Sequence, residues 1–233
     1  IMQLCISMYN CEMVKVGIAG ASGYAGAELI RIVDAHPQFE LAALSAGSFA
    51  GARLASVHPQ FAAHPALANL IFSGTDASTF LDCDLVFVAL PHGQSGELIK
   101  QLSVDTKVVD LGADYRLIDA DVWSKYYEGP HAGTFVYGLP ELPDRREQIS
   151  NASKVANPGC YATAIQLSLA PLIAANLVDA SDIVVVAASG TSGAGRRAAV
   201  NLLASEVMGS ISAYRIGGTH QHTPEIEQEL QKY

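Results

Sequence analysis

The residues best suited to covalent chemistry lie in one short stretch, Asn157-Pro158-Gly159-Cys160-Tyr161-Ala162-Thr163. Pro158-Gly159 makes a tight turn, and the alanine-rich segment after it reads as a helix from about Tyr161 to Ala175, which sets Cys160 at or near a helix N-terminus. The helix dipole and the unpaired amides there stabilise a thiolate, the form in which cysteine is a nucleophile. A lone cysteine is otherwise most often a buried structural residue. Cys83 fits that description: it sits between Asp82 and Asp84, whose charge discourages a thiolate. A thiolate nucleophile also needs a proton partner. Gly217-Gly218-Thr219-His220-Gln221-His222-Thr223-Pro224-Glu225 offers two, with Thr223 as N-cap and Pro224 at the first helical position of a following helix. Both histidines then lie in the loop leading into that helix, and Glu225 is placed to orient one of them. A His-X-His pair also suits a metal, but nothing nearby completes a zinc set, so no metal is expected. His36, His58, His64, His92 and His131 read as structural or solvent-facing.

A second constellation is built for phosphate. Gly17, Gly20, Gly23 and Gly26 recur every third residue, and the turn Gly20-Ala21-Ser22-Gly23-Tyr24-Ala25-Gly26 follows an apolar run and precedes an amphipathic one. Such a turn lets backbone amides and a helix N-terminus hold a pyrophosphate. The spacing is GxxGxxG rather than GxGxxG. The next strand ends Leu44-Ser45-Ala46-Gly47-Ser48, with none of the carboxylates that bind a ribose 2′-hydroxyl in NAD sites. A 2′-phosphate would meet Ser45, Ser48 and Arg53 instead, so NADP is the expected cofactor. A third stretch, Ser189-Gly190-Thr191-Ser192-Gly193-Ala194-Gly195-Arg196-Arg197, reads as an anion site between a buried strand and a helix. It would serve substrate phosphate, the nicotinamide pocket or both; a flexible loop with solvated arginines is the alternative.

The elements that must carry these residues alternate. Val14–Ala19, Phe39–Leu44, Asp84–Leu90 and Lys107–Leu111 read as strands, with helices over Ala25–Ala35 and Ser95–Leu102. The pattern is α/β: a Rossmann-like doubly wound parallel sheet. Residues 113–150, rich in aromatics and prolines, read as loops. A second α+β region holds the helix after Cys160, a strand Ile183–Ala188, a helix Arg196–Met208 and a last helix from about Pro224 still running at Tyr233. The expected domains are 13–155 for the nucleotide and 156–233 for catalysis, the latter reading as truncated. Residues 1–12 form a poor signal peptide and read as an extension that contributes little to the fold.

Composition sets limits on partners. Half the residues are hydrophobic, enough for a substantial core, while only 16% are charged and the net charge is −9. No basic patch is present, which argues against nucleic acid. No apolar run approaches the roughly 20 residues a membrane span needs. Cys5, Cys11, Cys83 and Cys160 are far apart and form no CxxC pair, which favours a reduced, cytoplasmic compartment.

Taken together, GASGYAG at 20–26, NPGCYAT at 157–163, SGTSGAGR at 189–196 and THQHTPEI at 219–226 resemble the N-acetyl-gamma-glutamyl-phosphate reductase family of arginine biosynthesis, relatives of aspartate-semialdehyde dehydrogenase. The resemblance implies an NADP-dependent oxidoreductase of amino-acid biosynthesis. Its Cys160 thiolate would attack the acyl phosphate of N-acetyl-glutamyl phosphate, and NADPH would reduce the resulting thioester to the semialdehyde. His222 is the favoured acid/base because Glu225 lies three residues on, with His220 close behind; the charged histidine would pair with the thiolate. Cofactor contacts then fall to Gly20, Ser22, Gly23, Tyr24, Ala25, Gly26, Ser45, Ser48, Arg53, Ser192 and Gly193, and substrate contacts to Arg116, Asn157, Arg196 and Tyr214. A homo-oligomer, dimer or tetramer, is implied. Family chains are longer, with the second sheet completed. Three rivals stay open: a sibling acting on an aminoadipyl phosphate, a cofactor-independent Cys/His acyl hydrolase, and a catalytically dead NADP-binding module.

Overall fold

The computed structural model describes residues 13–233; the expected extension 1–12, with Cys5 and Cys11, lies outside them. The described residues fall into two compact units. The first runs to Phe87 and adds Gln101–Lys107; the second comprises Val88–Lys100 and Val108–Tyr233.

The first unit opens with β1 (Val14–Ala19), α1 (Tyr24–Ala35) and β2 (Phe39–Ser45), followed by the single turn α2 (Leu54–Val57) and then β3 (Leu85–Val88). Strand order is β2-β1-β3. β1 and β2 pair in parallel from Val14↔Phe39 to Ala19↔Ser45, with a register shift between Val16 and Gly17. Val16, Ile18 and Ala19 are all fully buried, as expected of a parallel strand covered on both faces. α1 buries Gly26, Ala27, Leu29, Ile30 and Val33, one stripe at helical spacing. Gly17 is a contact requirement: a Cβ there would lie 2.6 Å from Phe80 Cδ1, so the ring rests directly on the strand.

The second unit contains α3 (Ser95–Gln101) as far as Lys100, β4 (Lys107–Asp110) from Val108, α4 (Ala120–Tyr126), β5 (Val136–Tyr137), α5 (Arg145–Asn151) and β6 (Lys154–Ala156). These are followed by α6 (Cys160–Ala174), the single turn α7 (Ala204–Val207) and α8 (Thr223–Leu230). Strand order is β4-β6-β5, with both pairings parallel. Residues 113–150 are thus more regular than the loops expected of them. Asp119 caps α4 by accepting from the Asp121 and Val122 amides, and Ala113, Leu117, Trp123 and Tyr127 form a buried cluster around it.

Three expectations fail in the last third of the chain. Ile183–Ala188 is not a strand: Val184 and Val186 are 82% and 95% exposed. An apolar run becomes a strand only where a neighbour takes its N–H and C=O groups, and among the described residues none does. The helix expected over Arg196–Met208 shrinks to a 3-10 turn at Val200–Leu202 and the single turn α7, because no apolar face is buried to support more. The final helix starts at Thr223 with His222, not Thr223, as N-cap, and ends at Leu230 instead of running to Tyr233. Among the described residues no helix is long and apolar enough to cross a membrane.

Candidate functional site

In the first unit, the glycine turn is drawn tight by backbone bonds. The Gly20 and Ala21 amides donate to Ser45 O at 3.1 and 2.8 Å, and the Gly23 amide to Gly20 O at 3.2 Å. Gly20 has φ +82°, which favours glycine, and a Cβ on Gly26 would lie 2.6 Å from Gly20 O. α1 therefore starts hard against the end of β1, with Gly23 as N-cap and no side chain capping it. Its first-turn amides, Tyr24, Ala25 and Gly26, have no carbonyl within the helix to bond, which is the arrangement that receives a phosphate. Ser22 and Gly23 are half-buried, while Tyr24 and Ala25 are exposed. Ser45 is fully buried and its hydroxyl accepts from Thr75 at 3.3 Å, so it belongs to the turn and is not a partner for a 2′-phosphate. Ser48 and Arg53 are exposed, and Arg53 is the N-cap of α2. His58, read from sequence as structural or solvent-facing, is buried, and its Nε2 lies 2.9 Å from Ala21 O in the middle of the turn.

In the second unit, Cys160 is the first residue of α6, with Gly159 as N-cap, and is exposed. The expected placement at a helix N-terminus is what the fold delivers. Cys83 contrasts with it: buried in the first unit, it has its thiol pushed up to about 11 by burial and then by Asp82 and Asp84. Opposite Cys160, the first turn of α8 brings His222 against Gly159. A Cβ on Gly159 would lie 2.7 Å from His222 Cδ2 and closer still to Cε1 and Nε2. His220 and His222 meet edge to face at 4.8 Å, with Tyr161 at 4.9 Å from His220 and Tyr214 at 5.6 Å from it. The His222 amide donates to His220 Nδ1 at 3.0 Å, which leaves the neutral His220 proton on Nε2. The loop before α8 is tied to the end of α4: Tyr126 donates its hydroxyl to Gly218 O, Tyr127 to Gln221 O, and Gln221 Nε2 donates to Tyr126 O.

Electrostatics make His222 a neutral imidazole. Burial, then Arg116, His220, His92 and Arg215, lower it to about 3. The expected pairing of a charged His222 with the thiolate would have to overcome that burial. Glu225 orients neither histidine: His222 Nδ1 is buried with no hydrogen-bond partner. The Glu225 carboxylate instead accepts from the Gly159 amide at 2.8 Å and from the Tyr137 hydroxyl at 2.7 Å, and pairs with Arg116 at 3.4 Å.

Arg116 is partly committed as well. Its Nε donates to Asn157 O, its Nη1 to Glu225 Oε2 and its Nη2 to Leu111 O, so three of its five N–H groups serve the scaffold and one on each Nη remains for the expected substrate contact. Asn157 is half-buried and uses Nδ2 on Pro158 O. Ser192, Gly193 and Arg196 are exposed on a segment whose regular structure is a 3-10 turn at Thr191–Ala194. The strand and helix start expected to frame an anion site there are not formed. Among the described residues no group of three or more His, Cys, Asp or Glu could hold a metal ion.

Residues 15–152 match the semialdehyde dehydrogenase NAD binding domain, and residues 160–233 the semialdehyde dehydrogenase dimerisation domain. The chain belongs to the semialdehyde dehydrogenase family. Within it, the chain is 56% identical over 216 residues to an N-acetyl-gamma-glutamyl-phosphate reductase of Acidothermus cellulolyticus, covering 93% of this chain and 62% of that protein. It is 57% identical over 215 residues to one of Salinispora arenicola, covering 92% and 63%. The chain thus spans less than two thirds of the length of these relatives. In fold it is similar to an aspartate semialdehyde dehydrogenase with NADP from Candida albicans, with a TM-score of 0.53 and 21% identity, covering 70% of this chain and 48% of that one. Sequence reasoning did not single out Tyr137 and Gln166, which the fold brings against Glu225, nor did it foresee that the structural His58 would brace the glycine turn. None lies in a recognisable motif; their position shows only when the chain is folded.

Proposed function

We propose that this chain carries the nucleotide turn and the nucleophile of an NADP-dependent N-acetyl-gamma-glutamyl-phosphate reductase, which converts N-acetyl-glutamyl phosphate to N-acetyl-glutamate semialdehyde in arginine biosynthesis. The observation that carries the reading is the exposed Cys160 at the N-terminus of α6 with the His222 ring packed on the preceding glycine. The two close relatives bear that reductase name. The division into a nucleotide part, 13–155, and a catalytic part, 156–233, is supported by the limits of the two domain matches. The dimerisation-domain match over 160–233 supports a homo-oligomer, and the reading carries with it a cytoplasmic location.

The residues fit a dinucleotide. The lack of a side chain at Gly26, where a Cβ would meet the Ala21 and Gly20 backbone at 2.6 Å, lets the turn close against the start of α1, whose first-turn amides have no carbonyl within the helix to bond, and Ser48 and Arg53 follow β2 with no carboxylate before them, which favours NADP over NAD. When bound, the nicotinamide cofactor supplies the hydride that reduces an acyl group held on the enzyme. The chain's own part is acyl transfer. Cys160 Sγ attacks the acyl carbon, its electron pair forming the S–C bond while the carbonyl becomes an oxyanion. The first-turn amides of α6, Cys160 and Tyr161, are the donors for that oxyanion; the Gly159 amide is already engaged by Glu225. Collapse restores the carbonyl and breaks the C–O bond to phosphate. Neutral His222 takes the thiol proton, and an approaching phosphate dianion raises its basicity by opposing the burial that lowers it.

The test is phosphate- and NADP-dependent oxidation of N-acetyl-glutamate semialdehyde, read at the NADPH absorbance, for the chain and its Cys160→Ser variant. Activity in the parent that vanishes in the variant is expected. Activity that survives in Cys160→Ser overturns the thioester mechanism, and failure of the chain to bind NADPH favours a cofactor-independent hydrolase.

A further inference from the structure

We propose that Tyr137, Gln166 and Glu225 form a positioning clamp that holds the N-cap of α6 against the first turn of α8 and so sets Cys160 relative to His222. The inference rests on the reading of Cys160 and His222 as nucleophile and acid/base. It assigns Tyr137 and Gln166 a part in the reaction and gives Glu225 a different one from orienting a histidine.

Two points tie the helices together. At the start of α6, the Gly159 amide donates to Glu225 Oε1 at 2.8 Å; two turns along, Gln166 Nε2 donates to the backbone carbonyl of Glu225 at 3.0 Å. Tyr137, at the end of β5, closes the network with its hydroxyl 2.7 Å from Glu225 Oε1 and 3.0 Å from Gln166 Oε1. Burial and the adjacent Glu225 carboxylate push the Tyr137 phenol up, so it remains a donor. The second carboxylate oxygen faces Arg116, whose other nitrogens hold Leu111 O and Asn157 O, the latter two residues before Gly159.

Glu225 and Gln166 are 1% and 0% exposed. Burying such groups is costly unless every polar atom is met, and a network so met is stiff. An apolar trio would join two helices as firmly, since buried ionic groups are poor stabilisers compared with packed hydrophobes. What an apolar trio cannot do is grip a backbone amide. Glu225 grips the amide immediately before Cys160, and His222, three residues earlier in the same helical turn, packs on the same glycine. One turn of α8 therefore places both the reactive thiol's anchor and the imidazole.

Glu229 supplies the control. It is also buried, one turn further along α8, but its partners are Arg145, Lys232 and Gln228 and it makes no hydrogen bond to the N-cap of α6. The experiment compares the charge-neutral variants Tyr137→Phe and Gln166→Leu with Glu229→Gln. It reads the alkylation rate at the Cys160 peptide with iodoacetamide, the Tm, and kcat and KM in the aldehyde assay. In the clamp variants Cys160 alkylation at pH 7 is expected to slow about threefold, and kcat to fall about tenfold with KM for NADP unchanged, as a sub-ångström loss of alignment does. Glu229→Gln lowers Tm and moves neither. Should Gln166→Leu fail to fold, Tyr137→Phe decides. Clamp variants that lose Tm but keep the parent's alkylation rate and kcat overturn the proposal, as does an equal effect from Glu229→Gln. A parent that neither turns over nor binds NADPH while the clamp variants still slow alkylation refutes the reductase reading and leaves the clamp standing. Cys160-dependent turnover with unchanged alkylation and kcat does the reverse.

Discussion

Gly159→Ala isolates the closest approach in the site. The backbone at Gly159, φ −67° and ψ 153°, is open to any residue, so alanine adds a methyl group without backbone strain. That methyl would lie 2.7 Å from His222 Cδ2 and closer to Cε1 and Nε2, against an ordinary contact that starts at 3.4 Å. The ring has to retreat by about 1 Å, a displacement that in an acid/base group costs roughly 100-fold in rate. It cannot simply tilt away, because the His220 ring lies 4.8 Å and the Tyr161 ring 6.2 Å from it. The aldehyde assay is expected to show kcat/KM down about 100-fold, with the KM for NADP unchanged because the turn at 20–26 is untouched. Imidazole NMR reads the same displacement independently of turnover, as a changed environment for His222. A variant within about threefold of the parent, with the His222 resonances unmoved, refutes the argument that this contact sets the histidine.

Two predictions concern titration. His222, lowered to about 3, is expected to stay neutral in an NMR titration from about pH 8 to 5. With its folded value below the unfolded 6.5, it withdraws stability progressively as pH falls from 6.5 toward 3, and a midpoint near 6.5 in the folded protein sinks the reading. Asp110 is the opposite case: it is fully buried, with Oδ1 accepting from the Gly112 amide, and burial pushes it up to about 6 from 3.8. Its charged form destabilises the fold above pH 6 and is relieved as pH falls toward 3.8. Asp110→Asn should therefore stabilise by up to about 3 kcal/mol at pH 8, with the gain disappearing near pH 4. A gain or loss that is the same at both pH values in denaturant titrations refutes it.

Local signals carried the parts of the molecule that are locally determined. The glycine turn, the start of α6 at Cys160 and the helix after Pro224 were legible because turn chemistry and helix entry depend on a handful of adjacent residues. Ile183–Ala188 was misread for the same reason in reverse. Periodicity reports that a segment is apolar and β-branched, and is silent about whether a neighbouring strand exists to pair with it. The aromatics and prolines of residues 113–150 read as loops, yet Asp119 and the Trp123 cluster make α4 possible. Ser45 reads as a ligand residue because it is polar and follows β2, and only the fold shows that it is fully buried with its hydroxyl accepting from Thr75.

Glu225 shows how sequence spacing can point a residue at the wrong partner. Three residues after His222, it occupies the third position of α8, where a carboxylate commonly reaches back to the N-cap of its own helix. Sequence spacing therefore points it at its own loop. In the fold, the N-cap it satisfies is Gly159, the N-cap of α6, because the two helices pack together with their first turns adjacent. One carboxylate thus serves the amide that precedes the nucleophile, while the residue at the cap of its own helix, His222, is left with its Nδ1 unpartnered.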